Sequence, residues 1–143
     1  MLVNQLLNAK GRQVFTVAPE DSLSSIAALL HSRKVGAFIV TDRIGRVVGM
    51  VSERDIIRAV ATEGAVALDK PVSDFMTRDV IFASHGETIE ALLERMTDRR
   101  IRHLPVMDGA RLIGIVSIGD LVKSKIAEAE HEAHTLKAYI AAG

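Results

Sequence analysis

The chain has 143 residues, about the size of one domain, and 48% of them are hydrophobic although aromatic residues make up only 3%. Lys and Arg together number 18, as do Asp and Glu, so the chain carries no net charge. This balance argues against binding to nucleic acid. The absence of cysteine excludes disulfides, thiol catalysis and thiolate metal sites.

The first predicted element is a short amphipathic helix within residues 1–12. This segment lacks the basic start and the long apolar run of a signal peptide. The longest apolar runs elsewhere have about the length of a strand, which is too short to cross a membrane. We therefore expect a cytoplasmic protein without membrane contacts.

The next elements alternate between strand and helix patterns. Residues 13–17 are β-prone, and the apolar residues that follow them recur at helical spacing. These residues are Leu23, Ile26, Ala27 and Leu30. Residues 37–41 form an apolar run typical of a buried strand, and a turn follows at residues 42–45. Residues 47–51 predict another strand, which leads into a helix at Ser52.

The same order of elements occurs a second time. Thr88 takes the place of Ser22 at the start of one helix, and Ser117 takes the place of Ser52 at the start of the next. Two segments that agree in order and spacing indicate an internal repeat.

The repeat predicts an α/β fold built from two tandem β-α-β-β-α units. We place them at residues 13–62 and 75–127, joined by a linker at residues 63–74 that contains a glycine and a proline. Neither unit is large enough to bury its sheet alone, so we expect the two to pack sheet to sheet.

The final helix extends beyond its counterpart through residues 128–143. Its apolar residues are spaced alternately by about four and three: Val122, Ile126, Ala129, Ala133, Leu136 and Ile140. Its charged face carries Lys123, Lys125, Glu128, Glu130 and Glu132. This helix either lies on its own domain or forms a contact between two copies of the chain, and we favour a homodimer.

A Ser-x-x-Asp motif closes the last strand of each unit, as Gly49-Met-Val-Ser52-Glu-Arg-Asp55 and Gly114-Ile-Val-Ser117-Ile-Gly-Asp120. The simplest interpretation is a capping box, in which the Ser and Asp side chains satisfy the free amides of the helix start. The same geometry also makes an anion site, because free amides and the positive end of the helix dipole point beyond the strand. A carboxylate there is suited to a ribose diol, because it accepts two hydroxyl hydrogens.

The duplicated unit with this motif resembles a pair of cystathionine-β-synthase (CBS) domains, known as a Bateman module. The resemblance covers about residues 13–127, and Arg102-His-Leu-Pro-Val106 and Val116-Ser-Ile-Gly-Asp120 are especially typical. It implies a disc-like module with two clefts, often dimeric, which binds adenosyl compounds such as AMP, ADP, ATP or S-adenosylmethionine. In this family pattern the Asp holds the ribose, the Ser lies near phosphate, and strands of the other repeat contact the adenine.

The resemblance implies two sets of binding residues. The first cleft would contain Phe15, Thr16, Val35, Gly36, Arg102, His103, Ile115, Ser117, Gly119 and Asp120. The second cleft would contain Met50, Ser52, Arg54, Asp55, Thr77, Ile81 and Phe82. At the positions matching Arg102 and His103 the first repeat has Gly36 and Ala37, which carry no charge. The second cleft is therefore the poorer one, unless Arg54, or Arg102 shared between the clefts, compensates.

Arg102 and His103 have two interpretations. With Asp98, Arg99 and Arg100 they form either a solvated helix end or a phosphate-binding group. The Ser-x-x-Asp motif expected nearby favours phosphate binding, because the fork of an arginine grips phosphate oxygens in pairs.

No pattern in the sequence supports catalysis or metal binding. There is no Gly-rich phosphate loop and no nucleophile elbow. His131 and His134 lie three residues apart rather than the four of the zinc-protease pattern, which favours a solvated helix face.

The leading hypothesis is therefore a regulatory protein that needs no cofactor and binds an adenine nucleotide as its ligand. It would signal to an unidentified protein target. The alternative is a protein-protein interaction module whose clefts stay empty and whose helices bind the partner.

Overall fold

The computed structural model describes residues 1–142. In chain order, its α-helices and strands are α1 (Val3–Lys10), β1 (Thr16–Val17), α2 (Leu23–Arg33), β2 (Ala37–Thr41), β3 (Val47–Ser52), α3 (Glu53–Glu63), β4 (Ala83–Ser84), α4 (Ile89–Arg99), β5 (His103–Asp108), β6 (Arg111–Ser117) and α5 (Ile118–Ala142). Two short 3-10 helices, Ala65–Asp69 and Val72–Asp74, lie between α3 and β4. The chain divides into a first-repeat unit, residues 14–81, and a second-repeat unit, residues 1–13 with the chain from residue 82 onward.

The first-repeat unit contains a three-stranded sheet with β2 in the middle, parallel to β1 and antiparallel to β3. Ser22 begins α2 by accepting a hydrogen bond from the Ser25 amide at 3.1 Å, and Lys34 ends α2 with a left-handed φ of 54°. The core combines residues of the helices, the strands and the 3-10 segment: Val17, Leu23, Ile26, Leu30, Phe38, Val40, Val51, Ala59, Ala67, Val72 and Met76.

The segment at residues 63–74, predicted as a linker, is folded into the first-repeat unit. Gly64 follows α3 with a φ of 80°, and the two 3-10 helices come directly after it. Ala67 and Val72 are fully buried, and the Val72 amide donates to the Asp21 carbonyl at 2.8 Å. Helices this short show no periodic pattern of apolar residues in a sequence. The glycine and the proline are therefore the only structural signals in this segment.

The second-repeat unit contains the same sheet, with β5 between a parallel β4 and an antiparallel β6. Thr88 begins α4 by accepting from the Ala91 amide at 3.2 Å, and Arg100 ends it with a φ of 54°. Caps and left-handed ends therefore occur at matching positions of both repeats. The predicted α/β fold of two β-α-β-β-α repeats is confirmed.

The N-terminal helix α1 belongs to the second repeat, although it precedes the first repeat in the chain. Its residues Val3, Leu6 and Leu7 are buried. Two backbone amides of its start, those of Val3 and Asn4, donate to carbonyls between β4 and α4 at 2.9 and 3.0 Å. Helix α1 therefore completes a core whose other parts lie more than 70 residues later in the sequence.

Helix α5 has 25 residues, and its apolar seam is not covered by the chain itself. Leu136 and Ile140 are 60% and 68% exposed, and Ala129 and Ala133 are exposed as well. The interpretation in which this part of the helix lies on its own domain is therefore wrong. Among residues 1–142, no helix combines the length and the apolar character that a membrane span needs.

Helix α1 can approach β6 closely because residue 114 of β6 is a glycine. A Cβ atom at Gly114 would lie 2.7 Å from Leu7 Cδ2 and 3.0 Å from Leu7 Cδ1, and Leu7 is completely buried. Gly114→Ala should therefore lower the free energy of unfolding by about 1–3 kcal/mol through overpacking, measured by urea denaturation.

Gly119→Ala is the matched control for this substitution. The nearest atom to a Cβ at Gly119 is Ser117 Oγ at 3.6 Å, and the residue lies inside α5. This substitution should be neutral or stabilise the protein by up to about 1 kcal/mol. Equal losses in both variants would contradict the close contact between Gly114 and Leu7.

Candidate functional site

The first Ser-x-x-Asp motif closes β3 and begins α3. Asp55 Oδ2 accepts hydrogen bonds from the Ser52 amide at 2.8 Å and from the Ser52 hydroxyl at 3.2 Å. Arg58 Nη1 lies 3.5 Å from Asp55 Oδ1, and the Asp55 side chain is only 10% exposed. The capping geometry expected from the sequence is present, and it engages most of this carboxylate.

The second motif, between β6 and α5, is more open. The Ser117 amide donates to Asp120 Oδ2 at 2.9 Å, and the Asp120 amide donates to Ser117 Oγ at 3.1 Å. These reciprocal bonds form a capping box. The Asp120 side chain is 28% exposed, almost three times the value at Asp55. The carboxylate of the second repeat is therefore the more accessible one.

Lys10, at the end of α1, contacts the second motif and was not identified from the sequence. Its Nζ donates to Asp120 Oδ2 at 2.5 Å and to the Ile115 carbonyl at 2.6 Å. Burial would raise the pKa of Asp120, but the hydrogen bonds from Lys10 and from the Ser117 amide outweigh it and hold that pKa below its usual value. No local pattern links two residues that lie 110 positions apart.

The first repeat has a backbone contact where the second has a lysine. The Met50 carbonyl, which corresponds to that of Ile115, accepts from the Thr77 amide at 2.8 Å, and the Met50 amide donates back to Thr77 at 2.9 Å. A backbone pair of this kind cannot be exchanged without unfolding the strand edge, whereas a lysine side chain can move away. Only the second repeat therefore has a displaceable group on this carbonyl.

Arg102 and His103 lie beside the second motif. In the antiparallel pairing of β5 with β6, His103 is opposite Ser117, and the Ile118 amide donates to the Arg102 carbonyl at 2.8 Å. Arg102 is exposed and His103 half-buried. The structure thus brings Arg102, His103, Ser117 and Asp120 together at the start of α5.

The matching position of the first repeat carries no cation. Ala37 is opposite Ser52, and the Glu53 amide donates to the Gly36 carbonyl at 3.1 Å. This register confirms that Gly36 and Ala37 correspond to Arg102 and His103. Arg54, on the first turn of α3, is exposed. The predicted correspondence of positions therefore agrees with the backbone register, and the charge difference between the two motifs stays a prediction.

The other predicted binding residues lie at the starts of strands. Phe15 and Phe82 are each 39% exposed and precede β1 and β4, while Thr16 is the first residue of β1. Val35 is 37% exposed and follows the left-handed end of α2. Ile81, like Thr77, belongs to the first-repeat unit.

How these residues group with the motifs differs between the two predicted clefts. Phe15, Thr16, Val35 and Gly36 belong to the first-repeat unit and Asp120 to the second, so their union in one cleft stays a prediction. In the second cleft, Thr77 pairs directly with Met50, but Phe82 belongs to the second-repeat unit, so its place in this cleft also stays a prediction.

Phe15 has an additional neighbour that the sequence did not indicate. The Arg33 guanidinium lies over its ring at 3.7 Å from the centroid, which is a cation–π contact. This contact fixes one face of an exposed aromatic ring beside the start of β1.

A cavity of about 500 Å³ in the first-repeat unit lies away from the motifs. It is lined by residues 16–21 and 41–43, so Thr16 is the one predicted binding residue among its lining groups. Thr41 is the last residue of β2, whereas Ala37, which pairs with Ser52 of the motif, is the first. Within residues 1–142 no group of three or more His, Asp or Glu side chains is arranged to hold a metal ion.

Comparisons with known proteins agree with the repeated architecture. A family model described as the CBS domain matches residues 10–62 and again residues 72–126. The crystal structure of the CBS-domain containing protein ATU1752 from Agrobacterium tumefaciens is similar at 47% identity and a TM-score of 0.85, covering 87% of this chain and 92% of its own.

Two further solved structures contain adenosyl ligands. The CBS domain protein PAE2072 from Pyrobaculum aerophilum, complexed with AMP, is 29% identical with a TM-score of 0.74, covering 84% of this chain and 89% of its own. The CBS domain pair of protein MJ0100, in complex with 5-methylthioadenosine and S-adenosyl-L-methionine, is 26% identical with a TM-score of 0.80, covering 90% and 98%.

The contact between Lys10 and Asp120 predicts a pH-dependent contribution to stability. At neutral pH, Lys10→Met should lower the free energy of unfolding by up to about 1 kcal/mol, as for other partly exposed ion pairs. The folded protein holds the pKa of Asp120 below its usual value, so this stabilisation is present above the unfolded pKa, about 3.9. It is lost as the pH falls through the folded pKa.

The measurement is urea denaturation of both proteins at pH 7 and at pH 2.5. The difference between wild type and Lys10→Met should shrink at the lower pH. Lys10→Arg keeps the cation and is the control, which should stay close to wild type at both values. A difference of the same size at both pH values would mean that Lys10 acts through packing alone.

Proposed function

Because this chain belongs to the CBS-domain family, we propose that it is a regulatory module that binds an adenine nucleotide, AMP, ADP or ATP, at Ser117 and Asp120. The observation that carries this proposal is the set of groups at the start of α5. A partly exposed carboxylate lies there beside a hydroxyl, an arginine and a helix N-terminus.

Each of these groups has a chemical counterpart in a nucleotide. The Asp120 carboxylate accepts the two hydroxyl hydrogens of a ribose. Arg102 and the positive end of the α5 helix dipole suit a phosphate, and His103 and Ser117 add polar groups next to them. The base would meet the Ile115 and Gly119 backbone on one side and Phe15, Thr16, Val35 and Gly36 on the other.

The relatives support the class of ligand. AMP is bound to one similar CBS protein, and two adenosyl compounds are bound to another. The features common to those ligands are an adenine and a ribose, which are the parts assigned here to the strand edges and to Asp120.

We propose a weaker second site at the Ser-x-x-Asp motif of the first repeat. It would use Met50, Ser52, Arg54, Asp55, Thr77, Ile81 and Phe82. The carboxylate of Asp55 is buried and already in contact with Arg58, and Gly36 and Ala37 are neutral where the second repeat has Arg102 and His103, so we expect this site to bind more weakly.

In this proposal the protein catalyses no reaction, and nucleotide occupancy is transmitted to a protein target. One observation favours a second candidate function, an interaction module with empty clefts. Lys10 already bonds to Asp120 and to the Ile115 carbonyl, so the polar groups of the site have partners without any ligand.

We further propose that the protein is a homodimer that uses α5. Val122, Ile126, Leu136 and Ile140 are 45–68% exposed and follow one apolar seam. A seam with this spacing matches another helix of the same kind, and its burial between two copies removes it from water.

The nucleotide site is tested by two equivalent substitutions. Asp120→Asn should weaken ATP or AMP binding at least about tenfold, because a hydrogen bond to a charged group contributes about 1.5–3 kcal/mol and each 1.4 kcal/mol is a factor of ten. Asp55→Asn removes the same capping carboxylate from the first repeat, so it is the matched control and should weaken total binding less. Isothermal titration calorimetry measures both.

Arg102→Ala extends the calorimetric test to the phosphate. It should weaken ATP more than adenosine, since its proposed contact is with phosphate. Unchanged affinity in Asp120→Asn would assign that residue to capping alone. No binding of any nucleotide by the wild type at millimolar concentration would favour the interaction module.

The dimer is tested by placing charge in the apolar seam. Leu136→Lys with Ile140→Lys should shift the protein from dimer to monomer in sedimentation, because buried lysines without partners are costly. Both positions are exposed in the single chain, so the fold itself should tolerate them. Wild-type protein that sediments as a monomer at high micromolar concentration would remove the dimer.

A further inference from the structure

Lys10 is held in place by the most deeply buried part of the N-terminal helix. Leu7, one turn earlier in α1, is fully buried against Gly114, and Lys10 is the last residue of the helix. Gly11 follows with a φ of 106° and turns the chain away. A lysine at a helix C-terminus is favoured by the helix dipole, so its position is set by the fold.

The two acceptors of Lys10 are groups of the proposed nucleotide site. Its Nζ lies 2.5 Å from Asp120 Oδ2 and 2.6 Å from the Ile115 carbonyl. Asp120 and Lys10 together carry no net charge, so Arg102, whose backbone carbonyl accepts from the Ile118 amide next to the motif, supplies the excess positive charge. Without Lys10, the charges of Asp120 and Arg102 would cancel, so the site would lose the excess positive charge that favours a phosphate over a neutral or cationic ligand.

We propose that Lys10 is a specificity-determining residue that makes this site select anionic adenosyl ligands over neutral or cationic ones. The inference rests on the proposed function, because it assumes that a ribose binds at Asp120. A ligand whose hydroxyls bind Asp120 displaces the ammonium group of Lys10. A nucleoside phosphate then offers this ammonium a new anionic partner within reach of its flexible four-carbon chain. Adenosine offers none, and the carboxylate of S-adenosylmethionine is outweighed by its sulfonium and ammonium groups.

The first repeat provides an internal contrast to this arrangement. The carbonyl of Met50 is bonded to the Thr77 amide, and Asp55 has its contacts with Ser52 and Arg58. No lysine is bonded to Asp55 in the described chain. Discrimination by Lys10 is therefore a property of the second repeat.

The test is calorimetry of four ligands, adenosine, AMP, ATP and S-adenosylmethionine, with wild type and Lys10→Met. The variant keeps an unbranched side chain, one heavy atom shorter, and removes its charge. The preference for ATP over adenosine should fall at least about fivefold, and the preference for ATP over S-adenosylmethionine should fall further. Lys10→Gln is the second variant if Lys10→Met does not fold, as judged by circular dichroism.

Lys125→Met is the matched control. Lys125 also forms an ion pair in the second-repeat unit, with Glu90 at 2.8 Å, and it is 42% exposed against 35% for Lys10. Its removal should leave both preferences unchanged. A preference that changes equally in the two variants would reflect general charge and would overturn the role of Lys10.

The remaining outcomes separate this inference from the proposed function. If wild type and Lys10→Met bind ATP with the same preference over adenosine, the inference is wrong and the nucleotide site stands. If ligands bind only to Lys10→Met, Lys10 obstructs the site rather than selecting among ligands, and the inference is again wrong. If neither protein binds any of the four ligands, the proposed function fails and the inference fails with it.

Discussion

The contact between Leu7 and Gly114 is the constraint on which the second-repeat unit depends. Only a glycine lets the buried Leu7 side chain approach β6 so closely, and this approach fixes the end of α1. Lys10 is the last residue of that helix, so its contacts with Ile115 and Asp120 follow from the packing of an apolar side chain three residues earlier. A packing constraint thus determines the charge of the candidate site.

The two repeats share the same arrangement of caps and close-packed glycines, but different groups surround it in each repeat. Each has a capping serine and aspartate, and each has a glycine against which a side chain from outside the β-α-β-β-α unit packs, Met76 at Gly49 and Leu7 at Gly114. In the first repeat the neighbouring carbonyl is paired with backbone, and in the second with the side chain of Lys10. Duplication therefore preserved the fold and allowed the exposed polar groups to diverge.

Local patterns in the sequence were sufficient to predict the repeated architecture. Helical spacing of Leu23 and Ile26, and the polar residues at Ser22 and Thr88, reflect contacts within a few residues, which a sequence shows directly. The packing of α1 on β6 and the contact of Lys10 with Asp120 bring together residues more than 100 positions apart. No periodic pattern in the sequence indicates contacts over such a separation. The folded segment at residues 63–74 was missed because its 3-10 helices are too short to repeat a pattern.

The assignment of α1 to the second-repeat unit has a consequence for the order of folding during synthesis. Helix α1 is synthesised before the first repeat, but its partners Gly114 and Asp120 are made more than 100 residues later. The first-repeat unit, residues 14–81, contains all of its own core and is complete before β5 and β6 exist. Domains generally fold as units during synthesis, and closing a long loop has an entropic cost. Helix α1 is therefore made before the first repeat but packs after it, and the Lys10 contact forms only when the second repeat is nearly complete.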